Sequence, residues 1–384
     1  MDFDAEDNHA DIREAVAVVT RSFGNSYYSE HAARQESTEE LWRELGKQGF
    51  IGINLPEEYG GGGAGLSELA LVCEETAAQG SPLLLMLVSS AISGEVISRY
   101  GSQLQKETWL PRMATGESKV VFAITEPDAG SNTLKMSTTA VRDDDGWLLN
   151  GTKYYISGVD EADAVLVVAR TGTDDNTGKA LLSLFVVPTD ARGLTVQRLP
   201  VSASLPERQF TLFFDNVRLG SEHLVGAENE GFAEVFHGLN PERIVGAAIC
   251  VGVGRYALAR AAEYARTRKV WGVPIGSHQG VSHVLAKAKI EVELAALMTN
   301  KAAWLHDNGQ PAGEASNMAK YAAAEAASAA VDAAIQTHGG NGLSTEYGLI
   351  PLWGIVRLLR IAPVSSEMIL NYVAQHSLDL PRSY

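Results

Sequence analysis

The hydrophobic rhythm of the chain changes twice, and the changes divide it into three zones. Residues 1–119 follow a helical spacing. Glu39 to Gly49 places Leu41, Trp42 and Leu45 on one face, and Ser67 to Ala78 does the same with Leu69, Leu71, Val72 and Thr76. The run Gly60 to Gly65 between them reads as a flexible surface loop. Residues 120–226 switch to short β-branched runs: Val165 to Val168, Leu182 to Val187 and Phe210 to Phe214. Asp143-Asp144-Asp145-Gly146 is a turn between strands at Thr138 to Arg142 and Trp147 to Leu149. Strands without intervening helices predict an antiparallel sheet, a sandwich or a small barrel. Residues 227–384 return to helical spacing, with long helices over Pro241 to Lys269, His278 to His306 and Ala312 to His338. A short one follows over Ser365 to His376. Alanine stripes on these helices allow close approach of backbones, as a bundle needs. The expected class is α+β with three domains, helical, β and helical.

Charge narrows the partners. The 384 residues carry 31 basic and 47 acidic side chains, a formal charge of -16. Such a chain repels nucleic acid and anionic membranes, so a polyanionic ligand needs a local basic site. Two cysteines, Cys73 and Cys250, make no disulfide framework and fit a reducing compartment. The acidic start Met1-Asp2-Phe3-Asp4 lacks a signal-peptide pattern, and the apolar run Leu83 to Val88 is too short for a membrane span. These features predict a cytoplasmic protein.

Few motifs survive inspection. Gly60-x-Gly62-x-x-Gly65 has dinucleotide spacing, but Leu55-Pro56-Glu57-Glu58-Tyr59 before it is a turn and not a buried strand. His278 and His283 miss the usual helical ligand spacing, so no metal site is expected. Phe122 to Ser131 runs from an apolar strand into a turn of Glu126, Pro127, Asp128, Gly130 and Ser131. That turn is either a plain connection or a set of N–H groups and hydroxyls able to hold a polar ring. Asn240-Pro241-Glu242-Arg243 reads as a helix start, with Asn240 as N-cap and Pro241 in the first position. Glu242 there either complements the helix dipole or, held ionised by it, serves as a base.

Taken together, these segments resemble the acyl-CoA dehydrogenase family over nearly the whole chain. Leu55 to Gly61 resembles its N-terminal signature, and Phe122 to Asn132 its flavin motif. Lys153-Tyr154-Tyr155-Ile156-Ser157 is similar to Lys-x-Trp-Ile-Thr, and Arg268 to Ile275 with Gln279 to the Arg-x-x-Phe-Gly segment. Gln336 to Gly342 matches Gln-x-x-Gly-Gly-x-Gly. The resemblance implies an N-terminal helical domain, a β-domain and a C-terminal four-helix bundle, with FAD between the last two. It implies that Thr125 contacts the flavin pyrimidine, that Ser157 offers a hydroxyl near N5, and that Tyr155 replaces the family tryptophan beside the ring. Phe122, Ile124, Gly130, Ser131, Gln336, Gly339, Gly340, Ser365 and Glu367 complete the cofactor set. Arg268, Trp271 and Gln279 would reach a neighbouring subunit's FAD, which implies a dimer of dimers, homotetrameric or mixed with a paralogue.

The implied reaction is α,β-dehydrogenation of an acyl-CoA, with electrons passed to electron-transferring flavoprotein or a similar acceptor. Pro363 stands where many members carry the base, and it offers neither a carboxylate nor an N–H. Members resembling isovaleryl-CoA and long-chain dehydrogenases carry the base before an arginine on the first long bundle helix. Glu242-Arg243 matches that pair, which assigns Glu242 as base and Asn240, Arg243 and Ser131 to the substrate. A partner-dependent, non-catalytic subunit and another flavin reaction, such as enoyl-CoA reduction or oxygenation, are the alternatives.

Overall fold

A computed structural model describes residues 7–382 other than Asp145; the Met1 to Asp4 segment lies outside the described residues. The N-terminal zone is helical: α1 (Asp7–Arg34), α2 (Glu39–Lys47), α3 (Leu66–Ala78), a π-helical segment Met86–Gly94, α4 (Glu95–Tyr100) and α5 (Gln103–Ala114). Leu41, Trp42 and Leu45 are buried on one face of α2, as their spacing predicts. The Gly60 to Gly65 loop departs from the expectation of flexibility. Gly62 N–H donates to Gly52 and Gly63 N–H to Leu55, at 3.0 and 2.8 Å. A Cβ on Gly61 would lie 2.2 Å from the Leu55 carbonyl oxygen, so glycine is needed for close backbone approach. The N-terminus of α3 is no phosphate site. The Asp307 carboxylate, 241 residues away, accepts Leu66 N–H at 2.7 Å and pins this domain to the bundle.

The middle zone holds β1 (Val120–Ala123), β2 (Thr139–Asp143), β3 (Gly146–Ser157), β4 (Ala164–Thr173), β5 (Ala180–Pro188), β6 (Leu194–Leu199), β7 (Gln209–Gly220) and β8 (Leu224–Val225). They form one sheet in the order β6-β7-β3-β2-β4-β5-β8, with β1 also on β4. The sheet is mixed, which corrects the antiparallel expectation: β1 runs parallel to β4, and β2 meets β4 in parallel at Thr139 and Arg170. The reason is the crossover from β1 to β4, which carries the β2–β3 hairpin and leaves β1 and β4 pointing the same way. Val165 to Val168 are buried on both faces, which is why β4 reads as a continuous apolar run.

The C-terminal zone contains α6 (Gly231–Thr267), the hairpin strands β9 (Lys269–Val270) and β10 (Val273–Pro274), α7 (Gln279–Asp307), α8 (Gly313–His338), α9 (Leu349–Ile361) and α10 (Ser366–His376). Alanines 319, 323, 327, 330 and 334 of α8 are buried where α6 and α7 pack closely on it. Gly231–Thr267 and Leu349–His376 match a membrane span by length and composition. The first is the bundle's central helix, mostly buried against its neighbours, and the second is two helices broken around Pro363.

The start of α6 corrects the sequence reading. The helix begins at Gly231, so Asn240 is not its cap and Pro241 lies inside it. Proline cannot donate to the carbonyl four residues earlier, but one missing bond does not stop a helix packed on both sides. Glu242 therefore sits three turns in, beyond the reach of the helix-end charge.

Candidate active site

The turn after β1 is built on a buried ion pair. Lys153, fully buried, donates from Nζ to the Ile124 carbonyl and to Glu126 Oε1, both at 2.9 Å. Glu126 also accepts Thr138 N–H at 3.0 Å and the Ser137 hydroxyl at 2.8 Å. Burial opposes its charge, but Lys153 and these donors prevail and hold its carboxyl down at about 2. On Lys153 burial wins instead and lowers the ammonium to about 8, so both groups are charged at neutral pH. The pair fixes a turn whose Thr125 is half-buried and whose Gly130 and Ser131 are exposed. Phe122 is buried against β4, and Ile124 is half-buried beneath the turn.

The same edge displays Tyr155 and Ser157. Tyr154 N–H donates to the Thr125 carbonyl at 2.8 Å. Pairing of β3 with β7 skips between Lys153 and Ile156, a bulge that takes one extra residue. Tyr155 occupies it at φ 59°, with 55% of its surface exposed and its ring edge-on to Tyr154. Register resumes at Ile156, and Ser157 faces Gln209 across the strands with hydroxyl and carboxamide in hydrogen-bond contact.

The predicted base lies in the bundle. Glu242 is 8% exposed and, among the described residues, Oε2 has no hydrogen-bond partner. Burial raises its carboxyl to about 8, opposed by the charges of Arg243 and Lys320. The carboxylate is thus not held ionised by a helix end. Arg243 is also 8% exposed; it donates to Asn240 Oδ1 at 2.9 Å, while its Nε has no partner among the described residues. Burial lowers its guanidinium, and Glu242 and Tyr372 pull it back up. Lys320 of α8 donates from Nζ to the Arg360 carbonyl at 3.2 Å and to that of Val364. These carbonyls flank Pro363. Glu242 and the Pro363 turn therefore border the same buried lysine, although more than a hundred residues separate them. Ser365 caps α10 by accepting Met368 N–H at 3.3 Å, with Glu367 exposed in its first turn.

The remaining predicted cofactor residues lie on other elements. Arg268 ends α6, Trp271 tips the β9–β10 hairpin and Gln279 opens α7. Trp271 is 88% exposed. Gln336, Gly339 and Gly340 line the exposed end of α8. Among the described residues, a Cβ on Gly130, Gly339 or Gly340 would meet nothing within 4 Å. These exposed donors and glycines fit the cofactor set the family uses.

Comparison with known proteins settles the family. The N-terminal, middle and C-terminal domains of acyl-CoA dehydrogenases match residues 6–117, 121–217 and 229–378. Acyl-CoA dehydrogenase FadE12 of Mycobacterium tuberculosis is 57% identical over 97% of this chain and 96% of its own. The chain belongs to the acyl-CoA dehydrogenase family. The structure of glutaryl-coenzyme A dehydrogenase in complex with glutaryl-CoA superposes with a TM-score of 0.94 at 31% identity, covering 100% of this chain and 98% of that one. A Mycobacterium smegmatis glutaryl-CoA dehydrogenase with FADH2 gives 0.92 at 28%, with the same coverage. This acyl-CoA dehydrogenase is a FAD-dependent oxidoreductase, acting on an acyl-CoA thioester. Sequence reasoning missed Lys320 and Gln209, because a lysine in an alanine-rich helix and a glutamine opening a strand carry no local signal.

Proposed function

We propose that Glu242 is the base of this acyl-CoA dehydrogenase. The observation that carries the assignment is a buried carboxylate oxygen, unpartnered among the described residues, within the charge influence of Arg243 and of the Lys320 that braces a turn whose proline has neither carboxylate nor N–H. Glu242 takes the α-proton of a saturated acyl-CoA, the Cα–Cβ double bond forms, and the hydride leaves Cβ. FAD, when bound, supplies the two-electron acceptor for that hydride. Thr125, Tyr155 and Ser157, with Gln336, Gly339, Gly340 and the Arg268, Trp271 and Gln279 group, would hold it. A carboxyl raised toward 8 is a stronger base than an exposed one, and proximity of Arg243 and Lys320 favours its ionised form. Arg243 and Asn240 contact the substrate. A long or branched acyl chain is the class associated with a base on this helix.

Subunit assembly follows the same reading. Ile290, Leu294 and Leu297, at helical spacing on α7, are 61%, 61% and 48% exposed. This stripe supports a tetramer, of identical chains or with a paralogue, in which the Trp271 hairpin serves a neighbour's cofactor. Electron-transferring flavoprotein is the proposed acceptor, and the acidic charge and two unpaired buried cysteines support a cytoplasmic location. Anaerobic titration of the yellow protein with a panel of acyl-CoAs tests the activity. Glu242→Gln should keep FAD but lose bleaching; undiminished bleaching overturns the assignment.

A further inference from the structure

Gln209 has no role in the reaction as set out above, yet its position relative to Ser157 is specific. The two residues are direct cross-strand partners on β7 and β3, immediately after the bulge that turns Tyr155 outward. The carboxamide lies side-on to the hydroxyl, with Nε2 at 3.0 Å and Oε1 at 3.1 Å from Ser157 Oγ. Gln209 is only 6% exposed, so water does not easily replace it. Its second contact, from Nε2 to the Glu207 carbonyl, is long at 3.5 Å and leaves the amide committed to Ser157.

A serine hydroxyl has one proton and two lone pairs. When it donates toward a ligand, its oxygen is free to accept from Gln209 Nε2. When it accepts from a ligand, its proton needs an acceptor, and Gln209 Oε1 is within reach. A carboxamide offers both from one position; neither a carboxylate nor an ammonium at that site does so without changing protonation. Ser157 faces the cofactor in the reading above, and this inference rests on that reading. The oxidised flavin presents an acceptor at N5, and the reduced flavin presents an N–H there. The hydrogen-bond demand on Ser157 therefore reverses on reduction.

We propose that Gln209 is a positioning residue that complements Ser157 in both redox states, and so sets the balance between oxidised and reduced cofactor. Ser157 without it would satisfy one state and leave its half-buried hydroxyl proton without an acceptor in the other, which costs free energy in that state alone.

The experiment measures the two-electron midpoint potential of the FAD-loaded protein, per bound FAD, for wild type, Ser157→Ala, Gln209→Met, Gln209→Asn and the double variant Ser157→Ala/Gln209→Met. Ser157→Ala should shift the oxidised-to-reduced ratio at a fixed potential by about tenfold, equal to about 30 mV. Gln209→Met should lower the potential by at least half that amount, because the Ser157 proton loses its acceptor in the reduced state alone, and the double variant should match Ser157→Ala alone, because the two act as one unit. Gln209→Asn, too short to reach Oγ but polar, should behave like the methionine variant and serves where methionine prevents folding. If Ser157→Ala leaves the potential unchanged, the placement of Ser157 at the cofactor fails. If Ser157→Ala shifts it and neither Gln209 variant does, or if the double variant is additive, the Gln209 inference alone is overturned. A purely structural role for Gln209 would lower thermal stability and FAD content without moving the potential per bound FAD.

Discussion

The Lys153 ammonium sits 2.9 Å from the Glu126 carboxylate with both side chains buried, and the pair holds the β1 turn against β3. Removing one partner strands the other charge, which costs roughly 3–5 kcal/mol in comparable buried pairs. Lys153→Met and Glu126→Gln should each lower unfolding free energy by that order and weaken FAD retention, since Thr125 loses its support. Denaturant unfolding and FAD release on dilution check this. The pH dependence has a definite sign. Glu126 titrates near 2 when folded against an ordinary 4.5, so its contribution is present above 4.5 and is lost as pH falls through 2. The acid limb of wild-type unfolding should therefore flatten in Glu126→Gln.

Glu242 predicts the opposite slope. Its folded carboxyl, near 8, lies above the ordinary 4.5, so its contribution to stability is present below 4.5 and lost as pH rises through 8. Glu242→Gln cannot ionise, and its thermal midpoint should exceed that of wild type at pH 9 while bleaching by acyl-CoA is lost. In the wild type, kcat/KM should rise with pH to a limb near 8, since that profile reports the free enzyme's base. A flat profile between pH 6 and 9 counts against Glu242 as the ionising group.

The sequence reveals structure where one face of one element decides it. Buried β-branched runs gave away β4 and β5, and the spacing of Leu41, Trp42 and Leu45 gave away α2. The start of α6 was hidden because Asn240-Pro241 is a sound N-cap pattern, and only packing on both sides shows that the helix passes through it. The glycine loop looked flexible because its restraint comes from Leu55 and Gly52, groups that composition cannot place. The site divides the same way. Glu242, Thr125 and Ser157 stand in motifs, whereas Lys320 acquires its meaning from carbonyls 40 and 44 residues downstream.

Lys320 links the turn at Pro363 to the proposed base. Its replacement by methionine removes donors from the Arg360 and Val364 carbonyls and a positive charge near Glu242. Loss of that charge should raise the Glu242 carboxyl further, moving the kcat/KM limb above 8. Both part-buried carbonyls lose a donor, the Arg360 one keeping only a long 3.5 Å contact from the Ser366 hydroxyl, so stability should fall by up to about 1–3 kcal/mol for each. A kcat/KM limb that stays in place while stability falls would confine Lys320 to bracing the turn.

Trp271 combines exposure with a strained backbone. It and Gly272 adopt φ 52° and 85° at the tip of a two-residue hairpin turn, a geometry suited to asparagine and glycine and unfavourable for a bulky side chain. With 88% of its surface exposed, the indole contributes little to the folding of its own subunit. Trp271→Gly should leave unfolding free energy unchanged or raise it by up to about 1 kcal/mol, because the turn loses its strain. If the indole stacks on a neighbour's cofactor, the same variant should weaken FAD binding by about tenfold or more, the scale of one buried aromatic contact. Stability and cofactor affinity then move in opposite directions. Calorimetry read beside FAD titration separates the two effects, and a Trp271→Gly protein that binds FAD as tightly as wild type removes the hairpin from the cofactor site.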